Sequence, residues 1–457
     1  MDSNFVSQLF ELVLSPVGLV GIVLGLIAVA LSQRSQLVAW SMLTLCCFSA
    51  SLAKFQNQFV SEPPALAFPL QQLRDFGRPL TIVFLCLLIV IAFVKAPSWR
   101  RQIVAYPVKY LAGVQLIIFL KVLFYGDIAF AVLAALTFSL VLIMVNYGPS
   151  RWLSNKASFR HATAAMAMVG AIFIALNAYQ ATIDIYPITF VHGRFLGTTG
   201  NPQHAAVLLA SLIPCFMFLF EDYQQKLYKA FALFGLACVC LALFMTGSRT
   251  GLLMAIATVT FFYRNRKKSL FQLGIALAVA LAVLLPFVSQ GSMLLGAEQT
   301  DVSARFLSSD NSRIQVWSAM WRAFERYPIL GAPLGGDRLG FGESSWLATA
   351  ASLGLAGLIP LLLFGISCGK MMIQLSAISK RQPESYLQCS VVISGIACLL
   401  VGSFFEAYLL GTLSSALLTL LIYLSLGQYI IELHKVQRDS YLRSQIIATQ
   451  FSLPSTR

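Results

Sequence analysis

LTIVFLCLLIVIAFV, residues 80–94, carries no charge and no helix breaker, and Lys95 follows it directly. Such a run has no polar face to turn towards water, so neither an amphipathic surface helix nor a half-buried strand suits it. It is a membrane span, somewhat short against the roughly 20 residues that cross a bilayer, with soft ends.

Similar stretches lie on either side, at 12–31, 37–53, 110–125, 128–146, 162–181, 204–220, 230–246, 251–263, 270–289, 346–367, 389–405 and 411–431. The 457 residues are 58% hydrophobic and 11% charged, whereas soluble domains carry roughly 25% charged residues. Bilayer rather than a buried core must take up that apolar surface. The expectation is an all-α polytopic membrane protein with about 12 or 13 transmembrane helices, forming a single integral-membrane domain over 1–457. A long periplasmic loop containing short helices falls at 290–345, and a cytoplasmic tail at 432–457.

The net charge of +14 would suit nucleic acid only if it clustered on a soluble face. Here the basic residues sit in short loops, so a nucleic-acid partner is not expected. Of the nine cysteines, Cys46, Cys47, Cys86, Cys215, Cys238, Cys240, Cys389 and Cys398 fall inside apolar stretches, and Cys368 at the inner end of one. None is in an outer loop, so neither a disulfide nor a metal framework is expected. The scattered histidines His161, His192, His204 and His434 lack ligand spacing and argue against a metal too. The start of the chain, with Asp2 and Glu11, is acidic rather than basic, which does not read as a cleavable signal peptide.

Basic residues are retained on the cytoplasmic side of membranes. Alternate loops hold most of the 32 lysines and arginines, among them Arg34, Lys95, Arg100, Arg101, Lys109, Arg151, Lys156, Arg160, Lys226, Lys229, Arg264, Arg266, Lys267, Lys268, Lys370, Lys380 and Arg381. Those loops are therefore expected inside. The remainder is dominated by arginine: Arg74, Arg78, Arg194, Arg249, Arg305, Arg313, Arg322, Arg326 and Arg338, with Lys54 and Lys121. Guanidinium groups suit phosphate oxygens. The bland reading pairs them with outer acids such as Asp75, Asp301, Asp310 and Asp337.

Four outward segments stand out, at 54–79, 182–203, 247–251 and 290–345. In the last, Asp310-Asn311-Ser312 offers N-cap chemistry, and the run from Arg313 to Tyr327 stops at Pro328. The apolar face of this helix collects Val316, Trp317, Met320, Trp321 and Phe324, with Gln315, Arg322 and Arg326 opposite. Arg313 falls in the middle of the apolar face, where it must snorkel or enter a polar site, whereas Arg322 and Arg326 read as solvated charges. A turn over 331–336 leads towards Glu343, which lies just before a span opens at Trp346. Glu343 is either a helix cap, a role Ser344 and Ser345 would share, or a general base. The glycines of the stretch from His192 to Pro202 let backbone approach a ligand beside Arg194. Arg249, in the tight turn 247–251, either anchors helix ends at headgroups or serves a site. Lys121 and Asp127 read either as an ion-pathway pair or, on the blander account, as snorkelling and pairing with each other, and Glu406 as an interfacial acid or a member of the outward site.

Taken together, these segments resemble the O-antigen ligase and polymerase family of bacterial surface polysaccharide assembly. The resemblance runs from about Arg194 to Glu406. It rests on Arg194-Phe-Leu-Gly-Thr-Thr-Gly-Asn-Pro, on Ser248-Arg249, and on Arg313, Trp317, Phe324 and Pro328-Ile-Leu-Gly331 in the long loop. Ligases of the family usually start the next span with His-Asn-x-Tyr-Leu; here Glu343-Ser344-Ser345-Trp346-Leu347 stands instead.

The resemblance implies a glycosyltransferase in the bacterial inner membrane, working at the periplasmic face without cofactor or metal. It would polymerise undecaprenyl-diphosphate-linked oligosaccharide repeat units of O-antigen, capsule or exopolysaccharide. Arg194, Arg249 and Arg313 would bind the diphosphate, with Arg249 and Arg313 catalytic alongside Glu343, and Asn201, Ser248, Ser344 and Glu406 would stand behind them. Implied partners are the lipid-linked glycan, the bilayer, a chain-length regulator and a flippase. Two alternatives remain: a ligase moving finished glycan to lipid A core or protein, and a lipid-linked glycan transporter, for which no internal repeat speaks.

Overall fold

The computed structural model describes residues 16–52, 64–95, 104–126, 128–153, 155–266, 268–275, 277–278, 313–333, 343–411 and 413–451. Among them the regular elements are helices: α1 (Pro16–Arg34), α2 (Gln36–Ser51), a short α3 (Leu70–Asp75), α4 (Gly77–Lys95), α5 (Tyr106–Tyr125), α6 (Ile128–Trp152) and α7 (Lys156–Ile183). There follow α8 (Pro202–Asp222), α9 (Lys226–Met245), α10 (Arg249–Phe262), α11 (Arg313–Arg326), α12 (Ser345–Arg381), α13 (Tyr386–Ser403) and α14 (Ser415–Phe451). Only helices and closed barrels satisfy backbone polar groups where water is absent, and this composition takes the first route.

Among the described residues, nine helices are long and apolar enough to cross a membrane, and α1, α2 and α10 supply shorter apolar helices. They account for every expected span except 270–289, most of which lies outside the described residues. So do Asp127 and the cap candidates Asp310, Asn311 and Ser312. α14 continues through Phe451, past its apolar stretch Ser415–Gln437, so the segment expected as a tail begins as a continuation of that helix.

Burial ranks the helices by position. The apolar window of α8 is 83% buried and that of α9 only 28%. α8 is therefore the central post, packed against α7, α9, α10 and α13, with Leu208, Leu209, Leu212 and Phe218 wholly enclosed. α9 presents Leu227, Phe231 and Phe234 outward, the faces that lipid would cover. Local sequence sets where these helices begin. Asn201 accepts a hydrogen bond from Gln203 N at 2.8 Å ahead of Pro202, and Asn155 with Ser158 forms a capping box that starts α7.

Contacts among connections separate two ends of the bundle. At one, Arg160 pairs with Asp222, Tyr263 Oη donates to Glu221 at 3.0 Å, and Arg264 donates to Ser379 Oγ at 3.1 Å. These belong to the loops read as inside. The opposite end gathers Arg194, Thr246, Arg313, Ser345 and Glu406.

Candidate active site

At the arginine-bearing end the stretch after α7 folds back on the end of α9. Phe195 N donates to Met245 O at 3.0 Å and Leu196 N to Ile188 O at 2.9 Å, while the Phe195 ring meets Phe173 edge-on at 5.9 Å. This closure buries Arg194, whose Nε donates to Thr246 O at 2.7 Å. Three residues beyond that carbonyl, Arg249 opens α10 as an exposed side chain. Ser248 is its N-cap and accepts from Gly251 N at 3.2 Å. Thr246 thus links the two arginine segments: it receives Arg194, and its hydroxyl accepts from Ser248 N at 3.2 Å.

α11 lies across the same end and packs on α12. Its amphipathic reading holds for buried Met320 and half-buried Val316 and Trp317, and for exposed Arg322 and Arg326. Trp321 departs from it: the residue is 50% exposed, and its Nε1 donates to Glu325 at 2.7 Å. Arg313 does not snorkel. Its guanidinium donates to Phe405 O at 2.7 Å and to Glu406 Oε1 at 2.8 Å, and sits 5.7 Å from the Phe405 ring centre. The acid it pairs with, Glu406, lies 93 residues further along the sequence; Asp301, Asp310 and Asp337, expected as partners of the outer arginines, lie outside the described residues.

The start of α12 is stitched to the same dipeptide. Ser345 N and Oγ both donate to Glu406 O, at 3.1 and 2.7 Å, and Ser345 Oγ accepts from Leu409 N at 3.3 Å. Ser344 is the N-cap, held at φ 58, a region non-glycine residues seldom adopt and one that clusters at functional sites. Glu343 precedes the cap and is not itself the capping residue.

Glu406 is buried, and burial pushes its carboxyl up to about 7 against the pull of Arg313. The Glu343 charge raises it further and Arg194 opposes that rise. Of these residues, Arg313 is the one in hydrogen-bond contact with the carboxylate. Two atoms beside this pair are buried without a hydrogen-bond partner: Glu343 Oε2 and Trp317 Nε1. Trp317 lies one turn along α11 from Arg313 and packs on Phe405 at 6.1 Å. A buried acceptor and a buried donor left unmet are each costly until a polar partner reaches them.

Asn201 and Ser248 cap helices next to the arginine segments, and Ser344 caps α12. The reading of the sequence missed Trp317 as a polar group, Ser345 as a clasp, and Gln115, whose Nε2 donates to Leu409 O at 3.1 Å. Gln115 was findable as a lone amide in an apolar run; the other two were not. Among the described residues no three His, Cys, Asp or Glu side chains come together as a metal site.

The fold is that of a polytopic helical membrane protein, and one end holds the buried Arg313–Glu406 pair and the buried Arg194. A family model described as O-antigen ligase matches residues 234–362, a segment that includes Ser248, Arg249, Arg313, Gly331 and Glu343. That match supports the O-antigen ligase/polymerase family, the resemblance read from the sequence. No curated protein matches the chain.

Proposed function

We propose that this chain is a polymerase of undecaprenyl-diphosphate-linked oligosaccharide repeat units, acting at the periplasmic face of a bacterial inner membrane. The observation that carries this reading is the buried pair of Arg313 and Glu406 at the arginine-bearing end. In the reaction, a hydroxyl of the acceptor sugar attacks the anomeric carbon of the donor. Its proton passes to Glu343, and the bond from anomeric carbon to phosphate oxygen breaks with inversion. Undecaprenyl diphosphate departs with the bonding electrons. Arg194, Arg249 and Arg313 stabilise the charge that builds on it, which preorganised donors do best away from water. Glu406 holds Arg313 in place, and Trp317 Nε1 with Glu343 Oε2 receives the attacking hydroxyl. The lipid tail lies between spans, and a chain-length regulator and a flippase act alongside.

The ligase reading keeps the same site, and the family match supports it equally. Against it stands Glu343, where ligases usually carry histidine. Purified protein supplied with a lipid-linked repeat unit decides. A ladder of products is the polymerase result. A single transfer to added lipid A core would make the chain a ligase, and no product with either acceptor would overturn both.

A further inference from the structure

The helix α12 is broken inside the bundle. Gly354 sits at φ 61, ψ −155, and two hydrogen bonds of a regular helix, Leu355 N to Ala351 O and Ala356 N to Ser352 O, are replaced. Leu355 N donates instead to Pro328 O at 2.7 Å and Ala356 N to Ile329 O at 3.1 Å, while Ala351 O accepts from Ala332 N at 2.8 Å. The turn at the end of α11 has therefore threaded its backbone into the gap. Its fit depends on Gly331, at φ 73, and on Gly354, because a Cβ on either would strike the other segment's backbone. One acceptor of the broken helix, Ser352 O, is left over, as are the turn carbonyls of Leu330 and Ala332.

Lys121, near the end of α5, takes all three. Its ammonium donates to Leu330 O and Ala332 O at 2.7 Å each and to Ser352 O. A snorkelling lysine would send its charge to water or headgroups. This one spends its three donors on carbonyls that the break and the turn expose, where unmet backbone groups are costly.

We infer that Lys121 is a positioning residue: by closing the joint between α12 and the turn after α11, it fixes the placement of Arg313 against Glu406. α11 has 14 residues, about 20 Å at 1.5 Å per residue, so the helix is a strut pinned at one end by Lys121 and at the other by the Arg313 pair. Its effect on transfer rests on the polymerase or ligase reading above; the joint itself does not.

The test compares the full-length protein with Lys121→Met and Lys121→Arg, using amide hydrogen exchange by mass spectrometry and glycan transfer from a lipid-linked repeat unit. Lys121→Met is expected to speed exchange in 328–333, 351–356 and α11 and leave α8 unchanged. It lowers kcat about ten- to hundredfold with KM for the donor within about threefold, the scale of a misplaced group far from the chemistry. Lys121→Arg, which keeps charge and donors, stays within about threefold of the parent in kcat. Unchanged exchange at 328–333 and 351–356 overturns the inference, as does local loosening with undiminished kcat, or loosening that extends to α8. Where Lys121→Met does not accumulate, Lys121→Gln replaces it under the same criteria. A parent protein inactive on every lipid-linked glycan defeats the functional reading, while the exchange arm still decides the joint.

Discussion

Glu406 is the residue on which the site turns, because it is buried, ionisable and held by Arg313 at 2.8 Å. Its carboxyl lies at about 7, above an ordinary 4.5. The folded protein therefore holds a proton there that the unfolded chain releases. This contribution to stability is present below about 4.5 and is lost as pH rises through about 7, on the order of 3 kcal/mol in total. Thermal melts of the purified protein should show stability falling across that window, and Glu406→Gln should flatten the fall. Equal pH slopes for parent and variant would place the titration elsewhere. Removing the partner acts in the opposite sense to neutralising the acid. Arg313→Ala leaves a buried carboxylate without its counter-charge, a change that typically costs about 3–5 kcal/mol, and should lower the melting temperature most above pH 7.

At the scale of elements, the joint between α12 and the turn after α11 makes a sharper demand than any span. Gly354→Ala puts a Cβ against Ile329 in a backbone region that L residues seldom adopt, so a loss of about 1–3 kcal/mol is expected, read as a lower melting temperature. Gly357→Ala, three residues on in ordinary helix, serves as the comparison for steric crowding without the positive φ. The sequence made the spans plain, since an uninterrupted run such as 80–94 has one physical solution. It also made α11 plain through its period and through Pro328. The break at Gly354 was not legible, because glycine is common in spanning helices and its partner turn lies more than twenty residues away. Nor was the role of Lys121, since its acceptors are backbone carbonyls that carry no side-chain signature.

Across the whole molecule, the alternation of loops that mix lysine and arginine with loops biased to arginine sorted the connections into two ends, and the contacts keep those ends apart. Arg194, Arg249, Arg313 and Glu343 were each visible as odd residues in outward segments. The pairing of Arg313 with Glu406 was not, because it reaches across 93 residues and no local pattern foretells it. The central claim is that these side chains transfer glycan from a lipid diphosphate, and reconstituted proteoliposomes loaded with a lipid-linked repeat unit test it most directly. The parent protein should build a ladder. Glu343→Gln should lower the rate about 10²- to 10⁴-fold, as loss of a general base does. Arg194→Ala, Arg249→Ala and Arg313→Ala should each lower it about 10²- to 10³-fold, the range for a lost charge-stabilising donor. Ladders at the parent rate from the glutamate variant and all three arginine variants would contradict it.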